Sequence, residues 1–151
     1  MKFFTHLAFA FLVGLFCLDF FSVTNSILFM VVVLVSALFV DIDHPDSKVG
    51  RFFKPVGWLF THRGFFHSLL AMGIFALIPY LIFHDKFVVI AVLVGYSSHL
   101  VLDALNHQGI AFFYPLKNRL TGFVKSGGVA DYILLLTFIG LCLWKLMCVF
   151  F

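Results

Sequence analysis

The sequence predicts an all-α integral membrane protein, a bundle of about five transmembrane helices with one short interfacial helix. The first observation is composition: 63% of the 151 residues are hydrophobic and 11% are charged, whereas about a quarter of residues are charged in ordinary soluble proteins. The second is a succession of apolar runs near the roughly 20 residues needed to cross a bilayer. The third is the length, which leaves no room for a separate soluble domain, so we expect a single transmembrane domain over residues 1–151.

The first two predicted spans cover residues 5–21 and 26–42, and a polar turn around Asn25 separates them. Lys2 before an apolar run is also how a secretory signal peptide begins. No A-x-A cleavage pattern follows, so we expect the first span to be retained. The second span ends in an acidic segment, where Pro45 stops the helix.

The middle of the chain predicts an interfacial helix followed by the remaining spans. Residues 48–61 carry Lys and Arg among aromatic residues and are too short and too charged to cross a membrane, so we expect them to lie at its surface. The later elements are a third span to about Phe83, a turn at 84–86, a fourth span at 87–105, a loop at 106–130 and a fifth span from Asp131.

Counting the spans places the residues that can bind metal on one side of the membrane. We call side A the side on which the chain begins, and side B the opposite side. Side B receives only Asp19, His84 and Asp85. If polar residues only marked helix ends, the two sides would share them about equally, so the asymmetry predicts one assembled site at side A. The side A residues are His6, Asp41, Asp43, His44, His62, His67, His99, Asp103 and Asp131.

The same count orients the protein. Eight Lys and Arg residues fall on side A, and two, Lys86 and Lys145, fall on side B. By the positive-inside rule side A is cytoplasmic. We therefore expect a multi-pass protein of the inner (cytoplasmic) membrane with its N-terminus and its site on the cytoplasmic side. The eight residues are Lys2, Lys48, Arg51, Lys54, Arg63, Lys117, Arg119 and Lys125.

The fourth span ends in a pattern that suits metal binding. His99 and Asp103 lie four residues apart, so on a helix they project from the same face. An imidazole and a carboxylate in this arrangement can share a divalent ion. His107 continues the spacing. The alternative is a helix end that enters water, where polar residues are expected, and it applies above all to His107.

The segment from Asp41 to Asp46, which contains Asp43 and His44, allows three interpretations. A calcium loop would place Gly at its sixth position and an acid at its twelfth, where this chain has Asp46 and Phe52. The nucleophile of a phosphoaspartyl hydrolase would need an α/β sheet, which these spans cannot form. We favour a metal-ligand cluster at a helix end, because charges near membrane depth are costly unless paired or coordinated. A solvated acidic cap is the alternative, especially for Asp46.

Two imidazoles, His62 and His67, lie five residues apart around Gly64. One helix face cannot hold both, so we expect His62 to come from a loop and His67 from the first turn of the third helix. Arg63 would then lie beside the metal, where a guanidinium can clamp phosphate oxygens or stabilise charge that develops in a transition state. An ordinary interfacial arginine is the alternative.

His6 and Asp131 are further candidate ligands, each with a plain structural alternative. For His6 the alternative is an interfacial histidine. For Asp131 it is an acid at a helix N-terminus, which is favourable without any metal. The cysteines lie in apolar runs without CxxC or CxxH spacing, so we expect small core or lipid-facing residues.

The ligand types also limit the identity of the metal. Mixed His and Asp ligands suit Zn²⁺, Mn²⁺ or Fe²⁺ better than Mg²⁺ or Ca²⁺. We therefore expect a divalent metal cofactor, zinc first. The candidate ligands on side A exceed the needs of one tetrahedral ion, so the sequence allows one ion or two, and paired ions are common in enzymes that hydrolyse phosphate esters.

Three ordered blocks of the chain closely resemble the signature of the YdjM-like proteins, bacterial and archaeal inner membrane proteins described as predicted metal-dependent hydrolases. That description rests on a likeness to zinc-dependent phospholipases C, which also use a helical His-x-x-x-Asp pair. The resemblance implies phospholipase C-like or phosphoesterase chemistry, and it carries over Asp41, Asp43, His44, His62, His67, His99 and Asp103. The blocks are residues 41–47, 62–70 and 95–103, followed by Gly109-Ile110 and Tyr114-Pro115. The chain departs from the pattern at Asn106-His107, where Thr-Pro is frequent, and at Asp131, where Glu is expected.

These features predict a membrane-embedded hydrolase in which a metal-activated water attacks a phosphoester or lipid-linked substrate at the cytoplasmic leaflet. We expect a membrane lipid or lipid-linked partner and no nucleic acid, and the sequence does not define the oligomeric state. The predicted metal ligands are Asp41, Asp43, His67, His99 and Asp103, with His6 and Asp131 as further candidates. The predicted catalytic residues are Arg63, which receives substrate, and His44 and His62, one of which completes the metal shell or acts as acid and base.

Two other functions fit parts of the pattern. A metal or proton transport protein would use buried Asp and His as an ion path, but it predicts polar residues throughout the membrane depth, whereas here they cluster on one side. A membrane di-iron oxygenase usually needs more histidines than the six on side A, His107 included.

Overall fold

The computed structural model shows a helical bundle and describes residues 1–45, 47, 50–59, 61–116 and 118–150. Asp46, Lys48 and Lys117, which enter the predictions above, lie outside these residues. Three 3-10 turns, at Val40–Asp43, Gly50–Phe52 and Phe65–His67, extend or connect the helices. The helices are α1 (Phe3–Phe20), α2 (Ser26–Phe39), α3 (Lys54–Leu59), α4 (Leu69–Phe83), α5 (Lys86–Ala104) and α6 (Val129–Phe150).

The helices confirm the predicted fold class. Within the described part of the chain, four helical stretches are long and apolar enough to cross a membrane: α1, α2 with its 3-10 extension to Asp43, α5, and α6. The fifth, α4, has 15 residues, so it is about 22 Å long and shorter than the third span that the sequence predicts. The short helix α3 lies within the segment predicted to be interfacial.

The start of α4 shapes the site. The hydroxyl oxygen of Ser68 accepts a hydrogen bond from the backbone N–H of Ala71 at 3.2 Å and so caps the helix. The preceding residues are therefore outside the helix. His62 lies in a turn, as expected, whereas His67 lies in a 3-10 turn ahead of α4 instead of in its first turn.

Helices α2 and α5 pack closely, and Gly95 permits their approach. A Cβ atom at Gly95 would lie 2.1 Å from the backbone oxygen of Val33 and 3.0 Å from the Cβ atom of Ser36. Because no side chain separates the helices there, His99, one turn further along α5, can reach α2. Apolar residues surround the crossing: Ala10, Phe29, Val33, Ala37 and Ala91.

We expect Gly95→Ala to separate α2 from α5 and to lower the free energy of unfolding by about 1–3 kcal/mol, the usual cost of overpacking a core. The melting temperature in detergent measures this. Gly73→Ala is the matched control, because a Cβ atom there meets nothing within 4 Å and alanine is more favourable than glycine inside a helix. Equal melting temperatures for the two variants would contradict the close approach at Gly95.

The loop between α5 and α6 is part of the frame of the site. The backbone groups of Ile110 and Leu120 pair with each other, each N–H donating to the other oxygen at 3.0 Å. The N–H of Ala111 donates to the backbone oxygen of Arg63 at 3.1 Å. These bonds join the loop to the turn that carries Arg63, so the position of that turn depends on two separate parts of the chain.

Candidate metal centre

The structure gathers most of the predicted side A residues at the end of the bundle where α1 begins. Two overlapping groups have donor atoms that lie within 4.8 Å of one another. They come from the 3-10 extension of α2, from the turns before α4 and from α5. The first group is Asp41, His67, His99 and Asp103, and the second group is Asp41, Asp43, His62 and His67.

His99 is held by α2 through its Nδ1 atom. Nδ1 lies 2.7 Å from the backbone oxygen of Ala37, and because a carbonyl oxygen only accepts, Nδ1 carries a proton. In the neutral ring Nε2 is then unprotonated, and it is buried without a hydrogen bond to any described residue. It lies 3.6 Å from Asp41 Oδ1 and 3.6 Å from Asp103 Oδ2. Metal-binding imidazoles are commonly held in this way, with the other nitrogen on a carbonyl oxygen.

His67 lies between three carboxylates. Its side chain is fully buried, and neither ring nitrogen makes a hydrogen bond within the described ranges. Nε2 lies 3.3 Å from Asp103 Oδ2 and 3.7 Å from Asp41 Oδ1, while Nδ1 lies 3.5 Å from Asp43 Oδ2. Burial lowers the pKa of His67, but the carboxylates of Asp103, Asp41 and Asp43 outweigh burial and hold this pKa well above its ordinary value. The three carboxylates therefore favour positive charge at the position of this ring.

The turn that carries His67 is tied to α5. The hydroxyl of Tyr96, which is 1% exposed, donates to the backbone oxygen of Phe66 at 2.5 Å. Tyr96 lies one turn before His99 on the same helix. The two histidines of the first group are thus positioned through the same stretch of α5.

Asp103 lies between the histidines of the first group and three other groups: the Met1 amino group, His6 and Arg63. Its Oδ2 atom faces His67 and His99. Its Oδ1 atom lies 3.0 Å from the amino group of Met1, 3.3 Å from His6 Nε2 and 3.4 Å from Arg63 Nη2. Asp103 is 2% exposed, so these contacts replace the water that would otherwise solvate the carboxylate.

Asp43 has different partners from Asp41 and Asp103. Its side chain is fully buried, its Oδ1 atom lies 3.0 Å from His62 Nδ1, and its Oδ2 atom accepts a hydrogen bond from the backbone N–H of Arg63 at 3.2 Å. His62 is 31% exposed, and its ring centroid lies 4.3 Å from that of His44. Asp43 and His62 thus form a hydrogen-bonded pair at the outer edge of the two groups.

A cavity of about 460 Å³ opens beside the two groups. Arg63 lines it with φ at 62°, a conformation uncommon for residues other than glycine. The side chain of Arg63 is 8% exposed, and its Nε and Nη1 atoms are buried without a hydrogen bond to any residue that the structure describes. Such a guanidinium is suited to binding an oxyanion. The cavity is lined by Met1, His6, Asp41, His44, His62, Arg63, Asp103, Gln108 and Ser126.

His6 lies beside the two groups and belongs to neither. Its ring stacks on that of His99, with centroids 4.0 Å apart, and its Nε2 atom faces Asp103. Its Nδ1 atom is buried without a hydrogen bond among the described residues. His107 is exposed and belongs to neither group, although its spacing continues that of His99 and Asp103.

Asp131 is not brought into either group. Its oxygens accept hydrogen bonds from Thr5 Oγ1 at 2.8 Å, from the backbone N–H of Gly127 at 2.7 Å and from that of Lys2 at 3.1 Å. These bonds tie the start of α1 to the start of α6. The structure therefore supports the structural alternative for Asp131, and its prediction as a metal ligand has no support from geometry.

A divalent cation fits the first group by distance and by donor chemistry. Donors about 2.0–2.2 Å from a tetrahedral ion lie about 3.3–3.6 Å from one another. The distances that join each histidine Nε2 to each carboxylate oxygen are 3.3, 3.6, 3.6 and 3.7 Å. They are longer than ordinary hydrogen bonds and close to the edges of such a tetrahedron. Two imidazoles and two carboxylates also suit Zn²⁺.

Sequence reasoning missed several groups that shape the site. The backbone oxygen of Ala37 carries no signal in its residue type, so no pattern could reveal it. Ser126 lines the cavity, and its hydroxyl accepts a hydrogen bond at 2.6 Å from Nδ2 of Asn106, which is fully buried. Asn106 follows the His-x-x-x-Asp pair closely, and that position was the available signal for its role.

Comparisons with known proteins agree with the fold. The family model described as YdjM inner membrane protein matches residues 1–150. A Bacillus subtilis (strain 168) protein, YvsG, is 38% identical over 107 residues, which cover 67% of each chain. The inner membrane protein YdjM of Escherichia coli (strain K12) is 36% identical over 97 residues, which cover 57% of this chain and 48% of that protein. The matched part is thus about half of the Escherichia coli relative. No solved structure matches the chain significantly.

Proposed function

The chain belongs to the YdjM family of inner membrane proteins, and from this premise we propose that it is a membrane-embedded metal-dependent hydrolase that acts on a phosphoester or lipid-linked substrate. The observation that carries the proposal is the first group: two histidine Nε2 atoms and two carboxylate oxygens at tetrahedral separations, beside a polar cavity. Histidine and carboxylate ligands occur in catalytic zinc sites, which keep a position open for water. With four protein ligands here, the water would take a fifth position on the side of the cavity.

The metal and the chain have separate tasks in this proposal. A bound divalent cation lowers the pKa of a water molecule to about 7 and so supplies the nucleophile without a Ser or Cys side chain. Asp41, His67, His99 and Asp103 would hold that cation. His67 would hold the cation through Nε2 of the neutral ring, because a protonated nitrogen cannot bind metal.

Arg63 receives the substrate in this proposal. Its Nη1 atom, which is buried without a hydrogen bond to any described residue, can donate to an oxygen of a phosphoryl group, while Nη2 stays near Asp103. His44 and His62 line the same cavity and are the residues that can hold or release a proton near the leaving group. Because His62 Nδ1 faces Asp43, its Nε2 atom is the one available for that transfer.

The position of the site suggests a substrate within or at the membrane surface. The first group lies at the ends of α2 and α5, two helices that are apolar enough to span. The excess of Lys and Arg on side A favours a cytoplasmic site, so the substrate would be a lipid or lipid-linked molecule of the inner leaflet. A transport role would need polar residues along the bundle, whereas the described core between the helices is apolar.

We expect protein purified in detergent without chelator to contain zinc, or else manganese or iron, and to hydrolyse a phospholipid or bis(p-nitrophenyl) phosphate. Treatment with EDTA should remove the metal and abolish hydrolysis, and adding the metal back should restore the rate of hydrolysis. The measurements are elemental analysis and the release of a water-soluble phosphate product from the phospholipid or of p-nitrophenolate from the model diester. Hydrolysis that survives complete removal of metal would contradict the proposal.

His99→Ala tests the same proposal within the chain. We expect it to lose the metal, because the variant removes one of four ligands and the anchor to Ala37. His107→Ala is the matched control, since this histidine lies on the same side but is exposed and outside both groups. Equal metal content in the two variants would exclude the first group as the site.

A further inference from the structure

We infer that Asp43 is a positioning residue that orients His62 and His67, not a metal ligand, and that the centre holds a single cation. The inference rests on the proposed metal site and specifies its architecture. It also replaces the prediction from sequence that Asp43 binds metal, and it decides between one ion and two. Four arguments carry it, and they centre on the fully buried side chain of Asp43.

The first observation is that both oxygens of Asp43 are already occupied by N–H groups. Oδ1 lies 3.0 Å from His62 Nδ1, and Oδ2 accepts from the backbone N–H of Arg63 at 3.2 Å. These are hydrogen-bond lengths. They are shorter than the separation of about 3.3–3.6 Å between two ligands of a tetrahedral ion, which the first group shows. Asp43 therefore has both oxygens at hydrogen-bond distance from an N–H group, whereas Asp103 Oδ2 has, among the described residues, only the contacts of 3.3 and 3.6 Å to the two histidines of the first group.

The second observation is a parallel between the two histidines of the first group. His99 directs Nδ1 to the backbone oxygen of Ala37 and Nε2 to the ligand oxygens. His67 directs Nδ1 toward Asp43 Oδ2, at 3.5 Å, and Nε2 to the same ligand oxygens. Ligand imidazoles usually donate their other N–H to a carboxylate or a carbonyl group. Asp43 thus lies on the Nδ1 side of His67 as Ala37 lies on the Nδ1 side of His99, although at 3.5 Å it faces the ring without a hydrogen bond in this structure.

The third observation concerns what a second cation would need. Within the second group, His67 would have to offer Nδ1, because Nε2 faces the first group. The ring would then lose both of its protons, and the Nδ1 proton that faces Asp43 could no longer hold the ring in place. His62 would likewise have to bind through Nε2 or give up its hydrogen bond to Asp43. One cation needs neither change.

The fourth observation is that Asp43 reaches beyond the histidines. By accepting from the backbone N–H of Arg63, it helps to hold the left-handed turn at that residue. A single carboxylate therefore holds the ring of His62 and the backbone of the arginine that lines the cavity by hydrogen bonds, and it faces the ring of His67. These contacts explain why Asp43 is fully buried even if it does not touch a metal ion.

The experiment compares Asp43→Asn with Asp41→Asn, the same change at a residue two positions earlier. Apo protein in detergent is titrated with Zn²⁺ by calorimetry, and with Co²⁺ by visible absorption, which reports the number and type of ligands. We expect wild type to bind one Zn²⁺ per chain. Asp43→Asn should also bind one, with an affinity lower by about 10- to 100-fold, the usual effect of losing an orienting partner, and with the wild-type Co²⁺ spectrum. Asp41→Asn should lose more affinity and change the spectrum.

Each other result overturns the inference. Two Zn²⁺ in wild type and one in Asp43→Asn would make Asp43 a ligand of a second cation. Equal loss of affinity and the same spectral change in both variants would make it a ligand of the first. An unchanged Zn²⁺ affinity in Asp43→Asn would show that Asp43 does not orient the metal ligands. No Zn²⁺ in wild type would refute the proposed function itself, which distinguishes the two failures.

A second variant covers the case in which Asp43→Asn does not fold. His62 is partly exposed, so we expect His62→Ala to disturb folding less than a change at the fully buried Asp43. We expect it to keep one Zn²⁺ and the wild-type Co²⁺ spectrum, because His62 is not a ligand in a single-cation centre. A fall from two Zn²⁺ to one would support the second group as a separate site and overturn the inference.

Discussion

Replacing Asp103 with asparagine is expected to remove the cation and, with it, hydrolysis. The Oδ2 atom of Asp103 lies at ligand separation from both His67 and His99, so the variant loses one ligand charge. Loss of an orienting partner alone costs about 10- to 100-fold in metal affinity. We therefore expect a fall of more than about 100-fold for a ligand, measured by Zn²⁺ titration of the apo protein and by metal content after purification.

The same variant should also be less stable. Asp103 Oδ1 is the carboxylate partner of the Met1 amino group and of Arg63. Leaving buried charges without a partner costs about 3–5 kcal/mol, so we expect a lower melting temperature. Asp19→Asn is the control, because Asp19 is 46% exposed and pairs with Lys145, where such pairs contribute little. Wild-type metal content in Asp103→Asn would refute the assignment of the first group.

The second large effect is expected at Arg63. Removing a group that stabilises charge in a transition state typically lowers kcat by about 10²- to 10³-fold, and we expect this for Arg63→Gly with metal content retained. Glycine is chosen because it adopts the left-handed backbone of residue 63 without strain, so the change reports on the side chain. The measurement is kcat for phosphoester hydrolysis, alongside elemental analysis.

Arg63→Lys separates charge from geometry. A lysine keeps the positive charge but cannot offer the paired donors of a guanidinium, so we expect it to restore little of the rate. Arg119→Lys is the matched control, since Arg119 is exposed in the loop between α5 and α6. Full activity in Arg63→Gly would show that the buried nitrogens of Arg63 do not bind substrate.

The spans were predictable because membrane insertion depends on composition over about 20 residues, and composition can be read directly. The boundaries of the helices were less predictable. The sequence predicts a third span that runs to about Phe83 and includes residues before Ser68. In the structure Ser68 caps α4, so the residues before Ser68 form turns outside the helix. That turn matters because it carries His62, Arg63 and His67, and its shape depends on hydrogen bonds to residues far away in sequence.

The gathering of these His and Asp residues at one end of the bundle was also largely predictable. His99 and Asp103 share a helix face by spacing, and counting the spans puts Asp41 and His67 on the same side. The spacing of residues along the sequence could not distinguish a residue of the first group from one that only lies near it. Asp131 falls on side A and lies at a helix start, yet its oxygens accept hydrogen bonds from Lys2, Thr5 and Gly127.

The sequence by itself determined a multi-helix membrane protein with its His and Asp residues collected at one end, because hydropathy and residue type act locally along the chain. Only the tertiary structure decided which atoms meet: Nε2 of His67 and His99 with Asp41 and Asp103, and Nδ1 of His62 with Asp43. The physical reason is that a hydrogen bond and a contact at the spacing of two metal ligands differ in length by only a few tenths of an ångström. Such distances are set by contacts between distant segments, such as the approach of α2 and α5 at Gly95.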